Sequence, residues 1–297
     1  MINIDRAMRQ DRLMNALTGL TAKEFQQLLP TFTALLHEEA HRKPRQRKFG
    51  GGSLGALEKD PKQKLFFILF YAKVYPTYDV AGFMYDVDRS RPCKWMKKLL
   101  PVLEKSLGRQ IVLPVRRINS VEEFFRLFPG AKDVFIDGTE RPIPRPKKAK
   151  QQKKNYSGKK KRHTRKNMIW CDEERRILLV SPTKAGTVHD KRLHDKAGGL
   201  HGIPDDVHKW LDTGFLGVAK DGPNVHIPKK RSKLHPLTDE DRENNRVIAH
   251  FRIVVEHAIR GFKRFRCTTD PCRNRGGIDD QLIRVSAGLW NLHLACA

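Results

Sequence analysis

Asp137, Asp212 and Glu256 each stand in an apolar or near-apolar setting: VFIDGTE over 134–140, KWLDTGF over 209–215 and FRIVVEHAIRGFK over 251–263. Carboxylates placed this way are candidates for holding divalent metals. Metal-assisted phosphodiester chemistry needs two or three of them facing one point, with two ions ~3.5–4 Å apart bridging the attacking and leaving oxygens. Magnesium takes hard oxygen ligands and few protein groups, so three carboxylates suffice. Without a cation, three neighbouring anions repel and raise one another's pKa. Around the third acid, Arg252 lies four residues before Glu256, Arg260 four after and Lys263 seven after. Those offsets share one helix face, which can grip a phosphate beside a metal. The same offsets also suit an ion-pair ladder on a solvated helix, worth roughly a few tenths of a kcal/mol per pair, and spacing by itself favours the ladder.

These acids belong to a chain of 297 residues with 59 Lys+Arg against 33 Asp+Glu, a net charge of +26. Such an excess predicts a polyanionic partner. Nucleic acid fits better than a membrane, because no run approaches the ~18 apolar residues of a spanning helix. The opening MINIDRAMRQDRLMNAL lacks the apolar core of a signal peptide, so a cytoplasmic, nucleoid-associated protein is expected. The five cysteines (Cys93, Cys171, Cys267, Cys272, Cys296) are odd in number and scattered, which reads as free thiols in a reducing compartment.

Several elements must position the acids. Residues 11–40 show helical apolar spacing, with Thr21 and Glu24 spaced as a capping box. A basic, Gly-rich linker follows over 41–55, without the Lys-Ser/Thr of a phosphate loop. Residues 58–107 read as three helices: one ended by Tyr75-Pro76, a short second capped by Thr77, and a third starting at Asp88 or Ser90 with a kink at Pro101. Two helices, a tight turn and a basic third helix is helix-turn-helix spacing, which would bring Lys94, Lys97 and Lys98 toward DNA. An ordinary helical bundle with a solvated basic face has the same pattern.

From residue 131 the pattern becomes α/β with a mixed sheet. Strands are expected over 134–140, as an antiparallel pair over 167–182 turning at Asp172–Glu174, over 208–214 and over 224–229. A polar helix capped near Thr187, a long helix over 238–265 and an amphipathic helix over 278–296 complete it. Residues 141–166 carry 13 Lys/Arg and no acid, half the net charge. The domain boundaries drawn from this are 1–57 for N-terminal helices and linker, 58–130 for the helix-turn-helix region and 131–297 for the α/β domain.

Taken together, FIDGTERPI with YSGKKKRHT, then TVHDKRLHD, then LDTGFLG, then Arg252, Glu256 and Lys263 at their spacing form linked blocks in a fixed order. In these the chain resembles the DDE transposases of bacterial insertion sequences, in the broad group related to Harbinger-type elements. The resemblance covers nearly the whole chain, helix-turn-helix region included. It implies an RNase H-like catalytic domain and nucleotidyl transfer dependent on Mg2+ or Mn2+, with two ions. Asp137, Asp212 and Glu256 would be the metal ligands, and Arg252 and Lys263 would contact DNA near the cleaved end. One position departs: related transposases often carry a Tyr three residues before the Arg, and here it is Ala249. His189 and Asp190 are candidates for supporting the metal ligands, Asp190 being a rival ligand. Cys267 and Cys272 with His257 suggest zinc only weakly, since no second Cys pair follows.

The expected activity is binding of the element's terminal inverted repeats through 58–107, hydrolysis at each end, and attack of the freed 3′-OH on target DNA in the same site. Strand-bounded as it is, 141–166 would form a hairpin whose cations, Lys159, Lys160, Lys161 and Arg162 among them, line the DNA groove. Joining two ends implies a homodimer or higher oligomer on double-stranded DNA. The alternative is a catalytically silent DNA-binding protein or repressor derived from a transposase. An RNA-binding protein would need an RNP-like aromatic motif, which the sequence lacks.

Overall fold

The computed structural model describes residues 2–42, 60–196, 198–218, 222–232, 236–274 and 276–297. The expected Gly-rich linker thus lies almost wholly outside the described residues. The chain divides into two compact units: 1–113 with 263–270 and 274–297, and 114–262 with 271–273.

The first unit is helical. It contains α1 (Ile4–Met8), α2 (Asp11–Thr18), α3 (Ala22–Arg42), α4 (Pro61–Val74), α5 (Tyr78–Tyr85), α6 (Ser90–Arg109) and a closing helix, Ile278–Cys296. At the start of α3 the capping box forms: Thr21 N–H donates to Glu24 at 2.8 Å and Glu24 N–H donates to the Thr21 hydroxyl at 3.2 Å. The closing helix joins this unit through Arg284 and Gln281, which both donate to Glu104, and through His293 against Glu24.

Helix α4 is apolar all round, and Leu65 through Ala72 are all buried. A helix without a polar face must sit inside other helices. Asp60 caps its start with Pro61 in the first turn, and Tyr75 ends it in the left-handed region. Thr77 caps α5 as expected, accepting from Val80 N–H. The turn from α5 to α6 is tight. A Cβ on Gly82 would lie 2.7 Å from the Val87 carbonyl, so only glycine allows that approach. Phe67 then packs edge-on against Tyr85 of α5 and Trp95 of α6, each at 5.3 Å. Helix α6 continues through Pro101 to Arg109.

The second unit opens with α7 (Val121–Leu127) and is built on a seven-stranded sheet. Its strands are β1 (Asp133–Pro142), β2 (Tyr156–Ser157), β3 (Arg162–Cys171), β4 (Ile177–Val180), β5 (Lys184–Ala185), β6 (His208–Leu211) and β7 (Val225–His226). Strand β1 is central: β3 pairs with it antiparallel, β6 runs parallel beside it, and β7 runs parallel to β6. β4 and β5 pair with residues of β3 that also pair with β1, and β2 pairs with the first two residues of β3. Helices α8 (Ala149–Asn155), α9 (Asp190–Lys196) and α10 (Asp239–Lys263) accompany the sheet. Antiparallel neighbours on one side of β1 and parallel ones on the other give the RNase H-like order. The expected fold class, with a helical helix-turn-helix region ahead of it, therefore holds.

Three expectations change in detail. The basic segment does form a hairpin, β2 with β3, but helix α8 precedes it. AKQQKKN is rich in good helix formers, and Gln152 anchors the helix to the Pro146 carbonyl. Helix α9 starts at Asp190 rather than near Thr187, because the Thr187 hydroxyl donates to the Lys154 carbonyl at 2.7 Å instead of capping. The strand expected over 224–229 shortens to two residues.

Candidate active site

Ile136 of β1 pairs in register with Leu211 of β6, so Asp137 and Asp212 follow side by side on adjacent parallel strands. Side chains at matching register share a face, and neighbouring strands lie only ~4.8 Å apart. Each carboxylate is fixed locally. Asp137 accepts from Gly138 N–H at 2.7 Å, and Asp212 accepts from Thr213 N–H at 2.6 Å while capping a short 3₁₀ turn, Thr213–Phe215.

Asp190, at the start of α9, comes to the same place. A Cβ on Gly138 would lie 2.7 Å from one Asp190 oxygen, and a Cβ on Gly214 would lie 3.0 Å from the other. The two glycines next to the aspartates therefore leave room for a third carboxylate. Burial pushes the Asp137 carboxyl up to about 6. Its bond to Gly138 N–H and the Arg252 charge oppose that rise, and the charges of Asp212 and Asp190 add to it.

Cations balance this group of acids. Arg252 of α10 lies 3.4 Å from Asp212. Its Nε is buried and, among the described residues, has no hydrogen-bond partner. Phe251, one residue earlier, stacks on Trp210 of β6 at 4.3 Å, which pins α10 to the sheet beside the site. Lys166 of β3 is buried, 3.1 Å from Asp190 and 3.6 Å from Glu140. Arg141, also buried, donates to Asn167 and Thr183. Sequence reading missed Lys166 and Arg141. The signal was the hairpin register, which sets Lys166 directly opposite Glu140.

Glu256 and Arg260 are exposed on α10, Lys263 at its end is half-buried, and His189 is exposed with its ring nitrogen accepting weakly from Lys191 N–H. Lys159, Lys160, Lys161 and Arg162 are exposed at the hairpin tip, and Lys94, Lys97 and Lys98 on one face of α6. Among the described residues, no three His, Cys, Asp or Glu side chains form a ready-made metal cage. The donor chemistry still suits a divalent ion. Asp137 and Asp212 are hard oxygen ligands at one point, and a cation would favour the ionised Asp137 that burial, with a smaller contribution from Asp212 and Asp190, disfavours. Among the described residues, none of the five cysteines forms a disulfide.

An RNase H-like sheet that sets two aspartates side by side, with a third acid and an arginine against them, fits the endonuclease class. Residues 136–291 match the family described as DDE superfamily endonuclease, and residues 60–109 match the helix-turn-helix of DDE superfamily endonuclease. The chain is also 30% identical over 237 residues to the probable transposase for insertion sequence element IS702 of Microchaete diplosiphon, covering 79% of this chain and 81% of that one. It belongs to the DDE superfamily endonucleases, among the insertion-sequence transposases that join this domain to a helix-turn-helix. No solved structure matches it.

Proposed function

We propose that the protein cleaves the ends of its own element and joins them to target DNA, with Asp137, Asp212 and Glu256 as metal ligands. The observation that carries this reading is that Asp137 and Asp212 each follow directly on the Ile136–Leu211 pair of the adjacent parallel strands β1 and β6. A bound Mg2+ or Mn2+ pair would supply charge neutralisation and Lewis-acid polarisation at the phosphate. Asp137 and Asp212 would hold the ions, and Glu256 would approach from α10 when DNA is present. Arg252 holds Asp212 in place, with a buried Nε left to meet a phosphate oxygen. Lys166 holds Asp190 against Gly138 and Gly214, where it supports the ligand pair. Water attacks the terminal phosphodiester in line, so that one P–O bond forms, another breaks, and a 3′-OH is freed. That hydroxyl then attacks a target phosphate in the same way, releasing the target's own 3′-OH.

Helix α6 would read the terminal repeat through Lys94, Lys97 and Lys98. Lys159 to Arg162, with Arg260 and Lys263, would hold backbone phosphates. Purified Asp137→Asn, Asp212→Asn and Glu256→Gln should each lose detectable cleavage of end DNA in Mg2+ or Mn2+ while binding it within about twofold of wild type. Substantial cleavage by any of the three would remove that residue from the ligand set.

A second reading, DNA binding without catalysis, draws on the exposure of Glu256 and the lack of a ready-made three-ligand group among the described residues. Titrating Mg2+ or Mn2+ into wild-type protein with end DNA separates the two. Nicks support the transposase, and binding without nicks supports the silent binder.

A further inference from the structure

Residues Arg145, Gln152, Lys153, Tyr156 and His163 line a cavity of about 490 Å³ on the second unit. That lies within the ~300–1,000 Å³ of sites that take small molecules. Its lining is unusual for a solvated surface. Tyr156 is 44% exposed, a large aromatic ring open to solvent. Arg145 and Lys153 are exposed cations, and no acid lies anywhere in 141–166 to neutralise them.

The ring is held firmly. Tyr156 pairs across the hairpin with His163, whose ring lies 5.5 Å away at a steep angle, so the imidazole is not stacked on the phenol. The chain just before it is fixed by Thr187 bonding the Lys154 carbonyl. Arg145 is likewise oriented, donating to Gln152 at 3.1 Å, while Gln152 itself donates to the Pro146 carbonyl. An exposed aromatic ring lining one cavity with an oriented arginine and a second cation is the arrangement that binds unpaired nucleotides: the base stacks on the ring, and the cations take its phosphates. Along a duplex no base face is free, so there the tyrosine could meet only a phosphate through its hydroxyl, a contact that Tyr156→Phe removes while leaving the stacking face.

We infer that this cavity is a subsite for an unpaired nucleotide of the DNA substrate, with its base on Tyr156 and its phosphates on Arg145 and Lys153. It is separate from the carboxylates. His163 is level with Ile143, whose N–H bonds its carbonyl. Six residues of β1 separate Ile143 from Asp137, or ~20 Å at ~3.3 Å per residue. The inference rests on the DNA-processing reading above and adds the strand state of the DNA at this point.

The test uses the full chain and two fluorescent probes, oligo(dT) and a blunt duplex of equal length, with binding read by anisotropy. Tyr156→Ala should weaken oligo(dT) binding by about 5- to 150-fold, the range base–aromatic stacking gives on truncation to alanine. Duplex binding should stay within about twofold, and Tyr156→Phe should bind both probes like wild type. Arg145→Ala and Lys153→Ala should each lower the salt slope for oligo(dT) by about 0.7. Irradiation of wild type with a bromouracil-substituted oligonucleotide should cross-link Tyr156. An unchanged oligo(dT) affinity in Tyr156→Ala, or equal losses on both probes, overturns the subsite and leaves the transposase reading standing. Failure of wild type to bind either probe overturns both.

Discussion

Two buried acids make the metal-free protein sensitive to pH. Burial raises Asp137 to about 6, and burial likewise raises Asp172, in the β3–β4 turn, to about 6. An acid whose folded pKa lies above its unfolded value binds its proton more tightly when folded. Its stabilising contribution is complete below pH ~4 and is lost as pH rises through ~6. Each shift of roughly two units corresponds to at most about 2–3 kcal/mol. Without metal, denaturant stability should therefore fall between pH ~4 and ~6.5. Asp172→Asn should remove part of that fall, and Asp137→Asn another part. Mg2+ should raise the melting temperature of wild type at pH 7 more than that of Asp137→Asn. A pH-independent stability in wild type would contradict the burial of both carboxylates. Asp190 offers a sharper test at the same scale. A methyl on Gly138 meets the movable tip of Asp190, so Gly138→Ala should change stability by less than ~1 kcal/mol yet lower cleavage by displacing that carboxylate. If Gly138→Ala cleaves like wild type, Asp190 has no part in the site.

The elements show how far patterns within the chain carry. The α4–α5–α6 succession was legible because its signals are local: Pro61 in the first turn, the Thr77 cap, the apolar run of α4 and the lysines of α6 all lie within a few residues of what they control. The end of β6 before Asp212 was legible for the same reason, as a short apolar run stopped by Asp-Thr-Gly, whereas β1 does not stop at Asp137-Gly138 but stays paired with β3 as far as Pro142. Helix α8 was not legible, because 13 Lys/Arg over 141–166 mask a seven-residue helical stretch. The start of α9 was misplaced because the Thr187 hydroxyl is taken by a residue 33 positions away. The exposed face of α6 leads to a prediction. Alanine at Lys94, Lys97 or Lys98 should weaken binding of end DNA, and each lysine that pairs with a phosphate should lower the salt slope by about 0.9 when it is removed. An unchanged slope would mean that α6 does not meet DNA through these lysines.

For the whole molecule, the net charge of +26 sets the expected partner and its salt response. With ~6–10 phosphates neutralised, log K should fall by ~0.9 per phosphate for each decade of salt, and a flat response would contradict the role given to residues 141–166. No described helix is long and apolar enough to cross a membrane. By itself the sequence pointed to an endonuclease of the transposase kind through its linked blocks, while the spacing around Glu256 alone favoured an ion-pair ladder. It also determined the order of the blocks and, through the resemblance they carry, the helix-turn-helix, whose spacing alone an ordinary helical bundle shares. Only the tertiary structure decided which acids meet. It brought Asp190 between Gly138 and Gly214, set Lys166 opposite Glu140, and left Glu256 exposed on α10. Those outcomes depend on strand register and on packing between residues far apart in the chain, which no local pattern of residue types encodes.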